Sequence, residues 1–241
     1  MAFAEFIFLI YSNLKYDWRT QSYTAPNKRA RFMGETVMPP NGEETRTLPP
    51  DFFSRDPELV ARDLLGKILV RRLDGRTLSG IIVETEAYYG VEDPASRARY
   101  GMKPYNRLMW GQPGLAFIYN VHNNWLLNIV AHEPGGVGAV LIRAIEPLEG
   151  VDLMMKHRMV GDPIKLTSGP GRLTKALRID KSLNGTPVTS PRSEVFILDN
   201  ELNLEVATSH RIGVREDLER DLRFFIRGNR FVSKAGRLRT P

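Results

Sequence analysis

The sequence predicts an α+β fold: a single domain with a largely antiparallel sheet and helices packed outside it. Three observations predict it. Short runs rich in Val, Ile, Phe and Tyr outnumber helical stretches, compact polar turns join neighbouring runs, and the few helix candidates carry clear start and stop residues. No internal repeat or low-complexity tract is present, and 241 residues suffice for one core plus an arm.

Residues 1–46 read as an N-terminal extension, loosely ordered, before a domain over 47–241. Met1 to Tyr11 is apolar except for Glu5, too short to span a bilayer and without the basic start or cleavage site of a signal peptide. The stretch that follows holds Lys28, Arg29, Arg31, Pro39, Pro40 and Gly42 without apolar period, and Met33 and Met38 offer a native start further downstream. In the domain, Asp56 as N-cap and Pro57 at the first helical position open a helix that Gly66 ends. Ile68 to Arg72 reads as a strand, and Asp74-Gly75 as the hairpin turn into Leu78 to Tyr88. A polar segment to Pro113-Gly114 is long for a plain connection, which favours a functional role. Leu115 to Val121 and Trp125 to Ala131 form a hairpin across His122-Asn123-Asn124, and Val137 to Ile145 a further strand. Pro147 is expected to open a helix through Met155, and Ser168-Gly169-Pro170-Gly171 precedes another, Arg172 to Leu177. Short strands are expected at Val195 to Leu198, Leu222 to Ile226 and Phe231 to Val232.

Composition narrows the chemistry. There is no cysteine, so disulfides, thiolate catalysis and Cys-ligated zinc are excluded. Four scattered histidines show no His-x-x-x-His spacing, so no metal site is expected. Neither a Gly-x-x-x-x-Gly-Lys loop nor a Gly-x-Gly-x-x-Gly fingerprint is present, so no nucleotide cofactor is expected either. Ser168-Gly169-Pro170-Gly171 at a helix start is either a one-phosphate cradle or a plain turn and cap. A net charge of +6 suits a polyanionic partner, nucleic acid or an anionic membrane surface.

The stretch Ile82 to Tyr88 stands out because strands of this composition normally exclude acids, yet it carries Glu84 and Glu86. Alternation puts Glu84, Glu86 and Tyr88 on one face and Val83, Thr85 and Ala87 on the other. A carboxylate beside an aromatic ring on a rigid strand suits a water-activating site over a flat substrate; a half-exposed strand meeting solvent is the plainer alternative. Tyr119, Asn128 and Arg143 are likewise out of place on their strands. Arg143 can serve as ion partner to Glu84 or Glu86, Tyr119 as a core aromatic, and Asn128 as a cap on buried backbone.

Several motifs, in order, resemble the alkyladenine (3-methyladenine) DNA glycosylase family. They are Val83-Glu84-Thr85-Glu86-Ala87-Tyr88 with Gly90, Glu92, Asp93 and Ala95; Pro113-Gly114 with Phe117-Ile118-Tyr119; Val140 to Gly150, containing Arg143-Ala144-Ile145-Glu146-Pro147-Leu148-Glu149; Ser168-Gly169-Pro170; and Leu222 to Gly228. The resemblance runs from about Leu48 to the C-terminus. It implies a curved, mostly antiparallel sheet of the kind also found in a formyltransferase C-terminal domain. It further implies a base-excision-repair enzyme that flips alkylated or deaminated purines out of double-stranded DNA and hydrolyses the N-glycosidic bond, without cofactor. Such a protein is expected to be a monomer, off the membrane and intracellular with the DNA.

Residue by residue, the resemblance assigns Glu86 as the general base, Arg143 as the partner that helps hold the water, Tyr88 and Tyr119 as the aromatics around the extruded base, and Asn128 as a screen against 2-amino purines. Two positions depart from the pattern. Arg97 stands where the family usually has a base-binding histidine, and His122 takes the place of the tyrosine wedge, in a hairpin one residue shorter. Cationic N-alkylpurines are the first expected substrates, because a positively charged base leaves readily; a guanidinium stacks on a ring but stays cationic, which shifts the preference toward neutral lesions such as hypoxanthine or etheno-adenine. Two alternatives stay open at this point: a non-catalytic nucleic-acid-binding domain of the same fold, and a helix-hairpin-helix glycosylase, which wants a Leu-Pro-Gly-x-Gly turn and a helical protein.

Overall fold

The computed structural model describes residues 15–17, 22–24 and 46–234. It divides into two units at the junction of Arg46 and Thr47. In the first, β1 (Lys15–Asp17) pairs antiparallel with β2 (Ser22–Thr24). The remainder of residues 1–46, where a loose extension is expected, lies outside the described residues.

In the second unit, α1 (Pro50–Phe53) is a single turn, and α2 (Pro57–Asp63) starts where its cap requires. The Asp56 carboxylate accepts from the Glu58 N–H at 2.7 Å, and Pro57 occupies the first position, where its missing donor costs nothing. Gly66, at φ 85°, turns the chain into β3 (Ile68–Leu73). Asp74 and Gly75, at φ 49° and 71°, then make a two-residue turn into β4 (Arg76–Tyr88). Two successive positive φ values match the twist of the flanking strands, hence the Asp-Gly signal. The same device recurs at His122 and Asn123, φ 46° and 60°, between β5 (Ala116–Val121) and β6 (Asn124–Val130). There follow β7 (Ala139–Glu149), α3 (Val151–Arg158), α4 (Ile164–Thr167), α5 (Pro170–Leu177), β8 (Val195–Leu198), β9 (Val206–Ser209) and β10 (Arg223–Ile226).

Two expectations are corrected, and one strand is unforeseen. No helix opens at Pro147: β7 runs on to Glu149, and Gly150, at φ 71°, caps α3 instead. Pro147 is tolerated in the strand because the ladder is irregular beside it, between Ser79 and Gly80 of β4, and proline is compatible with such bulges. Phe231 and Val232 form a turn rather than a strand, with Phe231 N–H bonded to the Asn229 side chain. Val206–Ser209, whose Ala207-Thr208 alternation is weak, is a strand because β10 pairs with it.

Among the described residues the sheet has eight strands, six in the order β5-β6-β7-β4-β10-β9 and two off that path, β3 on β4 and β8 on β3; every pairing is antiparallel, and the sheet curls. β4 is central because it is long enough to serve three partners. One edge pairs with β7 along its length; the other is shared by β3 in its first half and β10 in its second. One face carries the main core, where Ile82, Leu127, Ile129, Val140 and Ile142 meet Val60, Leu64, Leu173 and Leu177 of the helices. The opposite face holds smaller clusters, around Phe117 and Val130 and around Val83 and Phe231.

Bulges decide which side chains reach that second face. The β4–β7 register slips by one residue at Val83 and slips back at Arg143, so each strand carries one extra residue at the same level. Val83 therefore joins Ile81 and Phe231 on the second face instead of pointing with Thr85 and Ala87, a correction to simple alternation. Thr85 faces the helices, its hydroxyl donating to Ala61 O at 2.7 Å.

Candidate active site

The paired bulges bring Glu84, Glu86 and Arg143 together in the middle of the sheet. All three are buried. Arg143 spans both acids: its Nε donates to Glu84 Oε1 at 2.8 Å and its Nη1 to Glu86 Oε2 at 3.0 Å. The acids nevertheless differ. Glu84 accepts four hydrogen bonds: Arg143 Nε, Arg223 Nε and Ser233 Oγ on Oε1, and the Ser233 N–H on Oε2. Such a saturated carboxylate is structural; removing it would leave Arg223 a buried cation without its acid and Arg143 with Glu86 alone, at about 3–5 kcal/mol.

Glu86 is less fully used. Its Oε2 accepts from Arg143 and from the Tyr88 hydroxyl at 2.8 Å, whereas among the described residues Oε1 accepts only the Ile212 N–H, at 2.7 Å. Burial pushes its pKa above the ordinary carboxylate value, against Arg143, the Ile212 N–H and Tyr88, which favour the ionised form; the Glu84 charge adds to the rise. A carboxylate of raised pKa with a spare lone pair is a better proton acceptor than a solvated one. Burial likewise raises Tyr88 and Tyr119, with Glu86 adding to both, so both hydroxyls stay protonated.

Above this group opens a cleft of about 1390 Å³. Tyr88, Tyr119, Arg143 and Ile212 line it, while Glu86 sits one side chain beneath its floor, behind them. Arg97 also lines the cleft, with its guanidinium 4.6 Å from the Tyr119 ring centre. No acid among the described residues pairs with Arg97. His122 stands exposed at the β5–β6 tip, on the rim. Asn128 does not line the cleft: it lies under Tyr119, near its hydroxyl, and its Nδ2 donates to Phe117 O at 3.1 Å. Ser168 and Gly169 lie on the wall, where Arg172 donates to the Ser168 carbonyl and hydroxyl. Eight arginines and lysines line the cleft, against Asp162 and Glu216.

Sequence reasoning missed Arg223, Ser233, Arg211 and Ile212. Arg223 carries the signal that exposed Arg143, a lone cation inside an apolar strand. Ile212 acts through its backbone, which no side-chain pattern reveals. Among the described residues no group of three His, Asp or Glu is placed to hold a metal ion, and no helix is long and apolar enough to cross a membrane.

A protein of Aeropyrum pernix is 48% identical over 193 residues, 79% of this chain and 94% of its own. One of Rhodopirellula baltica is 42% identical over 195 residues, 78% and 84% of the two chains, and one of Koribacter versatilis 40% over 192 residues, 77% and 92%. All three provisionally carry the name 3-methyladenine DNA glycosylase. Fold, site and relatives together define the class: a DNA-repair glycosylase, a hydrolase acting on DNA. The sequence profile of methylpurine-DNA glycosylase matches residues 51–230, and the chain belongs to that family.

Proposed function

We propose that this protein excises alkylated or deaminated purines from duplex DNA by water attack, leaving an abasic site, and works as a monomer wherever the cell keeps its DNA. The observation that carries the reading is Glu86: a buried carboxylate of raised pKa, held by Arg143, with one oxygen short of donors beneath a cleft flanked by Tyr88 and Tyr119.

A base stacked in a duplex shields its sugar carbon, so the nucleotide must swing out into the cleft. Basic residues along the cleft take the phosphates, and His122 at the hairpin tip fills the vacated stack. The purine stacks on the free faces of Tyr88 and Tyr119, beside Arg97; each such contact is worth on the order of 1–3 kcal/mol. As the C1′–N bond lengthens and its electron pair leaves with the base, water forms the new C1′–O bond. Its proton passes to Glu86 Oε1, whose charge also stabilises the cationic sugar. Among the described residues no lysine touches Glu86, so a Schiff base and strand cleavage are not expected.

The test uses single-lesion duplexes carrying 3-methyladenine, 7-methylguanine, hypoxanthine or etheno-adenine, scored for alkali-labile sites. Glu86→Gln is expected to lower base release by on the order of 10²-fold or more while DNA binding persists. Undiminished release by Glu86→Gln would return the domain to a different catalytic group, and absence of release by the wild type would leave only a nucleic-acid-binding role. Strand breaks without alkali would rule out the monofunctional reaction.

A further inference from the structure

The buried charges that the mechanism above leaves unused lie on the other side of Tyr88. Arg211 is buried and forks onto Asp93, with Nη1 to Oδ2 at 2.6 Å and Nη2 to Oδ1 at 2.7 Å; neither side chain is exposed. Its Nε and Nη2 also donate to Asp217 Oδ1, at 2.8 and 2.5 Å, and Nη1 to the Ala87 carbonyl at 2.9 Å. Its guanidinium lies 4.6 Å from the Tyr88 ring centre, and Tyr88 itself lines the cleft. The next residue, Ile212, supplies the sole N–H on Glu86 Oε1 among the described residues.

Two loops meet here. Pro94, Ala95 and Arg97, just after Asp93, line one wall of the cleft, and Ile212 to Glu216, just after Arg211, line another. Asp93 is itself fixed by the Tyr89 and Ala95 N–H groups, at 3.0 Å each. The ion pair thus ties both walls to β4 at Tyr88.

We propose that Arg211, clasped between Asp93 and Asp217, is a positioning residue for the reaction: it holds the Ile212 N–H on the proton-accepting oxygen of Glu86 and backs the ring of Tyr88. This rests on Glu86 being the base. A guanidinium suits the task because only its planar fork satisfies two carboxylates and a carbonyl while stacking on a ring; a lysine ammonium does neither.

The consequence is read in the pH profile. The charged and titratable groups around Glu86 are Glu84 and Tyr88 on its own strand, Arg143 from β7, Tyr119 from β5 and Arg223 opposite it on β10, with Arg211, Asp93, Asp217 and His210, 3.8 Å from Asp217, behind Tyr88. An N–H on the carboxylate favours its ionised form, so losing it makes Glu86 harder to ionise and moves the acid limb of the single-turnover rate to higher pH.

The experiment measures single-turnover excision against pH, melting temperature and affinity for abasic-site DNA, using the full chain and the lesion that the wild type releases. Asp93→Asn is expected to lower the rate about ten-fold and to move the acid limb upward, with affinity held within about two-fold. A folded Asp93→Asn protein with the wild-type acid limb overturns the proposal, because mere destabilisation lowers the rate without moving the limb. If Asp93→Asn does not fold, Asp217→Asn decides by the same criteria, since it leaves the Asp93 pair intact. Glu86→Gln in parallel separates the two claims. Activity retained there removes the base itself; activity lost there with an unmoved limb in the clasp variants removes only the role of Arg211.

Discussion

At the scale of the residue, two glutamates two positions apart on one strand have become different things. Glu84 is surrounded by Arg143, Arg223 and Ser233, whereas Glu86 keeps an oxygen with one donor. The oddity of both was legible in the sequence, as carboxylates in a β-branched run, and so was Arg143 as their partner. What separates them was not, because Arg223 and Ser233 are 139 and 149 residues away from Glu84. Arg97 is the other instructive residue. It rests on Tyr119 as a stacked guanidinium, an arrangement worth about 0.5–2 kcal/mol, and has no acid beside it among the described residues. A standing positive charge at the base seat opposes a cationic ring and suits a neutral one with acceptors. Arg97→His is therefore expected to lower the ratio of hypoxanthine to 3-methyladenine release several-fold, about the effect of weakening one charge interaction by 1 kcal/mol. Competition between the two lesions in one reaction measures it, and an unchanged ratio removes Arg97 from the base's surroundings.

Among the elements, the hairpins were the most legible, since Asp74-Gly75 and His122-Asn123 are residue types that tolerate positive φ. Pro147 misled because proline usually ends a strand; the ladder's irregularity beside it has no local sequence signature. The β5–β6 hairpin also depends on a helix start. Gly171 of α5 packs on Asn124 so closely that an added Cβ would stand 2.8 Å from both Cβ and Oδ1 of that residue. Thr174 of the same helix donates to Trp125 O at 2.7 Å. The glycine-rich run before α5 thus seats the hairpin, whatever it does for phosphates. Gly171→Ala is expected to shift the tip and slow excision on the order of ten- to a hundred-fold, as misplacements of about 1 Å do. Single-turnover rates at matched DNA occupancy check this; a rate within two-fold of wild type would show that the tip needs no fixed seat.

For the molecule as a whole, charge is concentrated in the cleft proposed to take the DNA. The net charge is +6, and the cleft alone presents eight cations against two acids. Composition made a polyanionic partner legible, but the clustering required the fold, because the cations come from loops far apart in the chain. If about five of them meet phosphates, log affinity should fall with log salt at a slope of about −4.5. Binding titrations across salt concentrations test this, and a slope near −1 would place the DNA track elsewhere. The matched irregularity of β4 and β7 has a consequence of its own. Because the extra residue at Val83 is answered by one at Arg143, the two strands fall back into step beyond them. Deleting either residue alone would turn inside out every pair on one side of the gap, while deleting both would restore the weave but take the cation with it. In this region only coupled length changes preserve the fold, and none of them preserves the chemistry.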